Sequence, residues 1–330
     1  MSLLSNHDAL LLDLDGTVWE GGRAIPGAIE AISGAATAGV ASMFVTNNAM
    51  RGPEVVAEKL RAMGLDTSDS DVVTSAQAAL DMASEYLQSG DTVLIVGTDS
   101  FRALATQAGY HVVSSADDNP KAVLQGMNPD LGWRELSEAA LAIRKGATYF
   151  ATNLDTTLPT ERGFMVGNGS MVAAVVSATG VAPQSAGKPG PAMFYSAANR
   201  LGVRAPLAVG DRLDTDIQGG NAARMATFHV LTGVSGELAL IEAPEEQRPT
   251  YLGQSLLDLN LPEKELRPGA QGGFTARIDG ADILLERGTP ESTSIQALRT
   301  VLEVAWAWKK EPALIRPMSD DAERVVAGWR

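Results

Sequence analysis

Ala9-Leu10-Leu11-Leu12-Asp13-Leu14-Asp15-Gly16-Thr17-Val18 decides the fold of this chain. Apolar residues run unbroken to Leu12, two carboxylates follow one residue apart, and a Gly-Thr turn comes at once. So short and apolar a run predicts a strand buried on both faces, as in a parallel sheet. Asp13 and Asp15 then stand just beyond its carboxyl end, where open α/β sheets place their ligands. At about 4 Å and an effective dielectric near 20, two such charges repel by roughly 4 kcal/mol. The nearest basic residues are Arg23 and the weakly basic His7, so the pair calls for an outside cation and reads as half of a magnesium site. Taken alone, the same string also describes a solvated Asp-rich turn.

Composition narrows the field. At 330 residues the chain is long enough for two domains, and 45% apolar with 20% charged residues is ordinary for a soluble globular protein. A formal net charge of −14 argues against nucleic acid or an anionic membrane as partner. The absence of cysteine excludes disulfides, thiolate metal sites and Cys nucleophiles. Three scattered histidines, His7, His111 and His229, argue against a His-rich zinc site or a Ser-His-Asp triad. The amino terminus lacks a signal-peptide pattern and no stretch reaches the ~20 apolar residues of a membrane span. The expectation is a cytoplasmic protein.

Working outward, Trp19 to Ile25 predicts a short hairpin, and a helix starts near Pro26 and ends near Gly39. Val40–Val45 is a second apolar strand ending in Thr46-Asn47-Asn48, and Pro53 opens another helix that stops at Gly64. This β-α-β-α order is that of a wound parallel sheet. From Ser75 a second α/β unit follows: a helix capped by Ser75, strands at Thr92–Val96, Tyr110–Val113 and Ala122–Gln125, a helix through Trp133 and Ile143, and a strand Ala147–Ala151. A polar loop then runs from Thr152 to Gly169. The first unit resumes at Gly187-Lys188-Pro189, with a strand Pro206–Val209 leading into Gly210-Asp211-Arg212-Leu213-Asp214-Thr215-Asp216, and another strand at Ala226–Leu231. Beyond a linker at Leu266–Gly273, Asp279-Gly280 marks a hairpin, Glu291–Lys310 a helix, and Asp320 with Glu323 a final capped helix. The expected fold class is α/β. A Rossmann-like core (1–75 and 183–260) carries an inserted α/β cap (76–182) and a small α+β carboxyl-terminal domain (266–330).

Acidic, hydroxyl and amine groups now fall at the ends of apolar strands or at helix starts. Together they make up a phosphoryl-transfer site. Asp13 can attack phosphorus and form an aspartyl-phosphate. Magnesium held by Asp13, Asp211 and a backbone carbonyl would offset the phosphate charge. Thr46, the Asn47 amide and Lys188 would bind the equatorial oxygens. Asp15 can protonate the leaving alkoxide and then serve as base for hydrolysis.

The set DLDGT, VTNN, the lone Lys188 and GDRLDTD resembles the four motifs of the haloacid dehalogenase superfamily, over residues 8 to 260. The resemblance implies Asp13 as nucleophile and Asp15 as acid/base, Thr46, Asn47 and Lys188 as phosphate binders, and Asp13, Asp15 and Asp211 in the metal site. Asp216, Gly16 and Thr17 would support it. The long insertion between Thr46 and Lys188, with GGRAIPGA after the first motif, resembles the branch of p-nitrophenyl, phosphoglycolate, pyridoxal and nucleotide phosphatases. The whole chain, tail included, is similar to actinobacterial glycerol-3-phosphate phosphatases, whose small acetyltransferase-like domain here lacks an acyl-CoA pyrophosphate loop. The implied activity is phosphoric monoester hydrolysis of a small phosphorylated metabolite, best matched by glycerol 3-phosphate. The alternatives are phosphoglycolate, pyridoxal phosphate or a nucleoside monophosphate, and a homodimer is common in that branch. Trp19, Asn48, Asn153, Asp155 and Arg162 are candidate substrate contacts. Trp19 can equally pack on the cap, and the last three are read as part of a loop that closes over the leaving group, in preference to stabilisers of a polar loop.

The rival readings are weaker. A dehalogenase needs no acid at position 15. A phospho-accepting receiver module shares the acids, Thr and Lys but is near 120 residues and has no cap. A degenerate metabolite sensor would have lost catalytic positions that are all present here.

Overall fold

A computed structural model describes residues 2–160, 162–308 and 312–329. The chain divides into two compact units, Met1–Ser42 with Leu201–Arg330, and Met43–Arg200. Among the described residues no helix is long and apolar enough to cross a membrane.

In the first unit Ala9–Leu12, Pro206–Gly210, Ala226–Val230 and Tyr251–Gly253 lie side by side in that order, all parallel. The first two strands are buried at every position, as an apolar run without alternation requires of a sheet covered on both faces. The predicted hairpin forms between Trp19–Glu20 and Arg23–Ala24, and the helix after it spans Ala28–Thr37. In the tail, Phe274–Asp279 pairs antiparallel with Asp282–Arg287. Its two-residue turn is Gly280-Ala281, one position later than expected. Gly280 alone there takes a positive φ, +62°, so the register follows the glycine. Ile315–Pro317 adds a parallel strand, and helices Ser294–Trp308 and Asp320–Val326 complete the tail. The last residues of the predicted helix Glu291–Lys310 lie outside the described ones. Ser319, not Asp320, caps the final helix, accepting from the Ala322 N–H at 3.2 Å.

The strand Ala41–Thr46 straddles the unit boundary. The Ala41 N–H donates to the Asp8 carbonyl within the first unit, and Phe44–Thr46 pairs in parallel with Val72–Thr74 within the second. The second unit also holds a five-stranded parallel sheet, ordered Gln184–Ser185, Thr148–Ala151, Ala122–Gln125, Thr92–Val96, His111–Val113. Trp133–Arg144 and Asn168–Thr179 pack on it through Ala139, Ile143, Val172 and Val175.

Several elements differ from the sequence reading. Thr74 rather than Ser75 caps the helix Ser75–Ala83, through a reciprocal pair with Gln77. A helix at Asp99–Gln107, capped by Thr98, was not anticipated. The expected polar loop is a hairpin, Thr157–Thr160 with Gly163–Val166, followed by the helix Asn168–Thr179. Pro159 and the Gly-Asn-Gly string at 167–169 mask both as loop. Gly167 and Gly169 are glycines for a packing reason, since a Cβ on either would run into the backbone of Leu154–Thr157.

Candidate active site

In the first unit the register Leu12↔Val209 sets two neighbouring strand ends level, and the Asp13 N–H donates to the Val209 carbonyl at 2.9 Å. Asp13 and Asp211 are therefore the first residues past those ends. A single π-helical turn, Leu213–Ile217, follows Asp211, a geometry common at functional sites. It brings Asp216 back, so that carboxylate oxygens of Asp13, Asp211 and Asp216 lie within 4.8 Å of one another. Asp211 is fully buried and Asp216 nearly so.

Fixed donors hold this cluster. Asp211 accepts from the Val234 N–H (2.7 Å) and from Thr17 Oγ1 (3.2 Å), while its own carbonyl accepts from the Ser235 N–H (3.1 Å). Asp216 accepts from the Arg212 N–H at 3.1 Å. Ser235 Oγ accepts from the Leu213 N–H (3.1 Å), and Thr232 Oγ1 donates to the Gly16 carbonyl (2.7 Å). Asp15 lies outside the cluster and is exposed; its Oδ1 accepts from the indole Nε1 of the buried Trp19 at 2.7 Å. His229 is fully buried, its Nε2 2.9 Å from the Ser235 carbonyl, and burial lowers its pKa to about 4.

In the second unit Asn47 is the hub. Its Oδ1 accepts from the Lys188 N–H (2.8 Å), and its Nδ2 lies 3.2 Å from both the Lys188 carbonyl and Asp155 Oδ2. Its carbonyl accepts from Asn153 Nδ2 (2.8 Å) and Ser75 Oγ (2.7 Å). Lys188 is buried, and its ammonium donates to the Val45 carbonyl at 3.1 Å. Thr46 Oγ1 accepts from the Asn48 N–H at 3.2 Å. A Cβ on Gly187 would sit 2.7 Å from the Thr152 carbonyl, so glycine lets the Lys188 segment lie against Asn153.

Three carboxylates this close repel by at least ~3 kcal/mol per ionised pair at an effective dielectric near 20. An all-oxygen donor set of this kind fits a small hard divalent cation.

Comparison with known proteins bears on this arrangement. Residues 10–111 match the profile of haloacid dehalogenase-like hydrolases, and 185–259 a second, HAD-hydrolase-like profile. The D-glycerol 3-phosphate phosphatase of Mycobacterium tuberculosis is 45% identical over 282 residues, which is 86% of this chain and 79% of that protein. The chain belongs to the haloacid dehalogenase-like hydrolases. An acid sugar phosphatase of Staphylococcus haemolyticus is 38% identical over 81% of this chain and all of its own length. The crystal structure of the M. tuberculosis glycerol phosphate phosphatase with magnesium matches at TM-score 0.91 and 40% identity, covering 99% of this chain and 98% of that one. The p-nitrophenyl phosphatase of Archaeoglobus fulgidus matches at TM-score 0.72 and 27% identity, over 77% and 98%.

Within this haloacid dehalogenase fold the predicted residues fall into two sets. Asp13, Thr17, Asp211 and Asp216 are drawn together in the first unit, with Gly16 against Asp211 and the Asp15–Trp19 pair formed locally. Thr46, Asn47, Asn48, Asn153, Asp155 and Lys188 are linked in the second. Arg162 sits exposed in the turn of the 157–166 hairpin. Sequence reasoning missed the Thr232–Ser235 loop that holds Asp211 and Gly16. A run of small and polar residues just past the strand Ala226–Val230 was its signal. It also missed Asn168, whose Nδ2 donates to the Asn153 carbonyl at 2.7 Å.

Proposed function

We propose that this chain is a magnesium-dependent phosphomonoesterase whose substrate is glycerol 3-phosphate. The observation that carries the reading is the Asp13–Asp211–Asp216 cluster at adjoining strand ends. The mycobacterial relative supports the choice of substrate. Magnesium would be held by Asp13, Asp211 and Asp216, where it offsets the charge of the phosphoryl group and of the carboxylates.

Asp13 attacks phosphorus; its carboxylate oxygen forms the new P–O bond as the bond to the glycerol oxygen breaks. Asp15 protonates the departing alkoxide, then takes a proton from the water that cleaves the aspartyl-phosphate. The indole N–H of Trp19 orients the Asp15 carboxylate. Lys188, the Asn47 amide and Thr46 bind phosphoryl oxygens, where donors fixed in advance stabilise transition-state charge without reorganising. Asn47 sets the Lys188 backbone through two of its hydrogen bonds. Residues 76–182 serve as the cap. The bonds from Asn47 to Asp155 and from Asn153 to Asn47 support a reading in which that loop contacts the leaving group.

The test is phosphate release from a panel of both glycerol 3-phosphate enantiomers, phosphoglycolate, pyridoxal phosphate and nucleoside monophosphates, with and without magnesium. Preference for one glycerol 3-phosphate enantiomer supports the assignment, and a preference for another compound on the panel replaces the substrate. Asp13→Asn should abolish turnover while leaving the fold intact; retained activity would remove the mechanism.

A further inference from the structure

The carboxyl-terminal segment takes no part in the chemistry above, yet it shares a core with the turn that carries Asp216. One continuous set of buried side chains runs from Leu213 and Ile217 in the π-helical turn, through Leu240 in the helix Glu237–Glu242, to Leu298 and Leu302 in the helix Ser294–Trp308. Polar bonds fasten the same contact. Trp306 Nε1 donates to the Leu240 carbonyl at 3.0 Å, and Arg248 Nη1 donates to the Trp306 carbonyl at 3.1 Å while its guanidinium stands 5.5 Å over the Trp306 ring. Arg299, 3% exposed, donates from Nη2 to the Leu252 carbonyl of the parallel sheet at 2.6 Å. Burying a guanidinium is costly, and burial lowers the Arg299 pKa to about 10. The tail is therefore anchored to the unit by more than apolar contact.

The helix that Trp306 grips starts directly after the loop that holds the acidic cluster. Glu237–Glu242 is preceded by Gly236 and Ser235. Val234 and Ser235 give their N–H groups to the Asp211 carboxylate and carbonyl, and Ser235 Oγ takes the N–H of Leu213, the first residue of the Asp216 turn. Ser235 and Val234 lie two and three residues before Glu237, so a shift of Glu237–Glu242 reaches Asp211 through their bonds and the Asp216 turn through the Ser235–Leu213 bond. Val325 serves as the comparison: it lies in the same core, on a helix that packs against the tail's sheet and against Ser294–Trp308, and its truncation loosens the tail without removing a hydrogen bond to Glu237–Glu242.

We propose that the carboxyl-terminal domain is a brace for the acidic cluster, in which Trp306 is a positioning residue that fixes Glu237–Glu242 and, through the Thr232–Ser235 loop, Asp211 and Asp216. The consequence for magnesium affinity rests on the function proposed above; the consequence for the loop does not.

The test uses the full chain and compares Trp306→Ala and Trp306→Phe with Val325→Ala. Amide hydrogen exchange at Val234 and Ser235 is followed without metal, together with calorimetric titration of magnesium and the melting temperature. Trp306→Ala should speed exchange at both amides about tenfold and weaken magnesium binding about tenfold. Trp306→Phe, which keeps the ring and loses the donor, should give about threefold in each. Val325→Ala should lower the melting temperature as much as Trp306→Phe while leaving exchange and affinity within twofold. At saturating magnesium the KM for p-nitrophenyl phosphate should stay within twofold in all three. Unchanged exchange in Trp306→Ala, or equal acceleration in Val325→Ala, overturns the brace. If the wild-type chain binds no magnesium, the proposed function fails, and the exchange comparison still decides the brace.

Discussion

Replacing Gly16 by alanine isolates how closely the first motif is packed onto the acidic cluster. Gly16 stands at φ +91°, and an added Cβ would lie 2.5 Å from Asp211 Oδ2, 2.6 Å from Cγ and 2.8 Å from Oδ1. Ordinary contact begins near 3.4 Å, so the carboxylate would have to retreat by roughly an ångström. It is pinned by the Val234 N–H at 2.7 Å and Thr17 Oγ1 at 3.2 Å. Hydrogen bonds to a charged group contribute about 1.5–3 kcal/mol each, and a non-glycine residue at positive φ costs about 1–2 kcal/mol. Losing one bond and accepting the strain amounts to about 3–5 kcal/mol, or a fall of roughly 10 °C in melting temperature. Gly21 is the control: it also has a positive φ, +54°, but nothing lies within 4 Å of its added Cβ. Gly21→Ala should lose only a few degrees and keep its magnesium affinity, whereas Gly16→Ala should lose at least tenfold in affinity by calorimetric titration. Equal losses in the two variants would refute the collision with Asp211 and leave backbone strain as the whole effect.

Other perturbations follow from single contacts. His229 is neutral in the folded chain, with a pKa lowered by burial to about 4, against about 6.5 unfolded. The unfolded state therefore binds the extra proton first. The stability this contributes is fully present above pH 6.5 and falls by about 3 kcal/mol as pH drops to 4. His229→Gln should flatten the melting temperature across that window, and an unaltered slope would count against the assignment. Trp19→Phe keeps a buried ring and removes the donor to Asp15; kcat should fall about tenfold, as expected for one hydrogen bond to a carboxylate, and an unchanged kcat would show that Asp15 needs no such orientation. Asn47→Asp turns a donor toward Asp155 and the Lys188 carbonyl into a like charge. A drop of several degrees in melting temperature with at least a hundredfold loss of kcat/KM is expected, and wild-type values for both would exclude Asn47 as the hub.

The strands of the core were legible because their signal is local. A run such as Ala9–Leu12, bounded by acids and glycine, needs no partner to be read. Val72–Thr74 and the two strands of the 157–166 hairpin were not, since short strands take their identity from the neighbour they pair with. The acidic residues were equally legible as types, because the carboxyl ends of the strands are where open α/β sheets bind their ligands. Their supports were not: Val234 and Ser235 act through backbone N–H groups, which every non-proline residue carries. Sequence alone offers Trp19 as a candidate substrate contact, and its indole bond to Asp15 makes it a support for that carboxylate.

The choice between Asp214 and Asp216 shows how a local motif is resolved by packing. In GDRLDTD both acids follow Asp211 at short spacing, and charge alone does not rank them. Gly210 decides it: a Cβ there would collide with the Asp216 side chain, so glycine at the strand end is what admits that carboxylate beside Asp13 and Asp211. The Arg212 N–H then takes one Asp216 oxygen. The Arg212 side chain does the reverse for Asp214, holding it in a bidentate pair at 3.0 and 2.7 Å on the exposed side of the turn. Asp214 is thus a partner for arginine and no member of the acidic cluster. One residue binds one acid through its backbone and the other through its side chain, and the π-helical turn between them keeps the two carboxylates apart. Substituting Gly210 would close the space that Asp216 needs, whereas substituting Asp214 would remove the bidentate pair with Arg212 and leave the acidic cluster as it is.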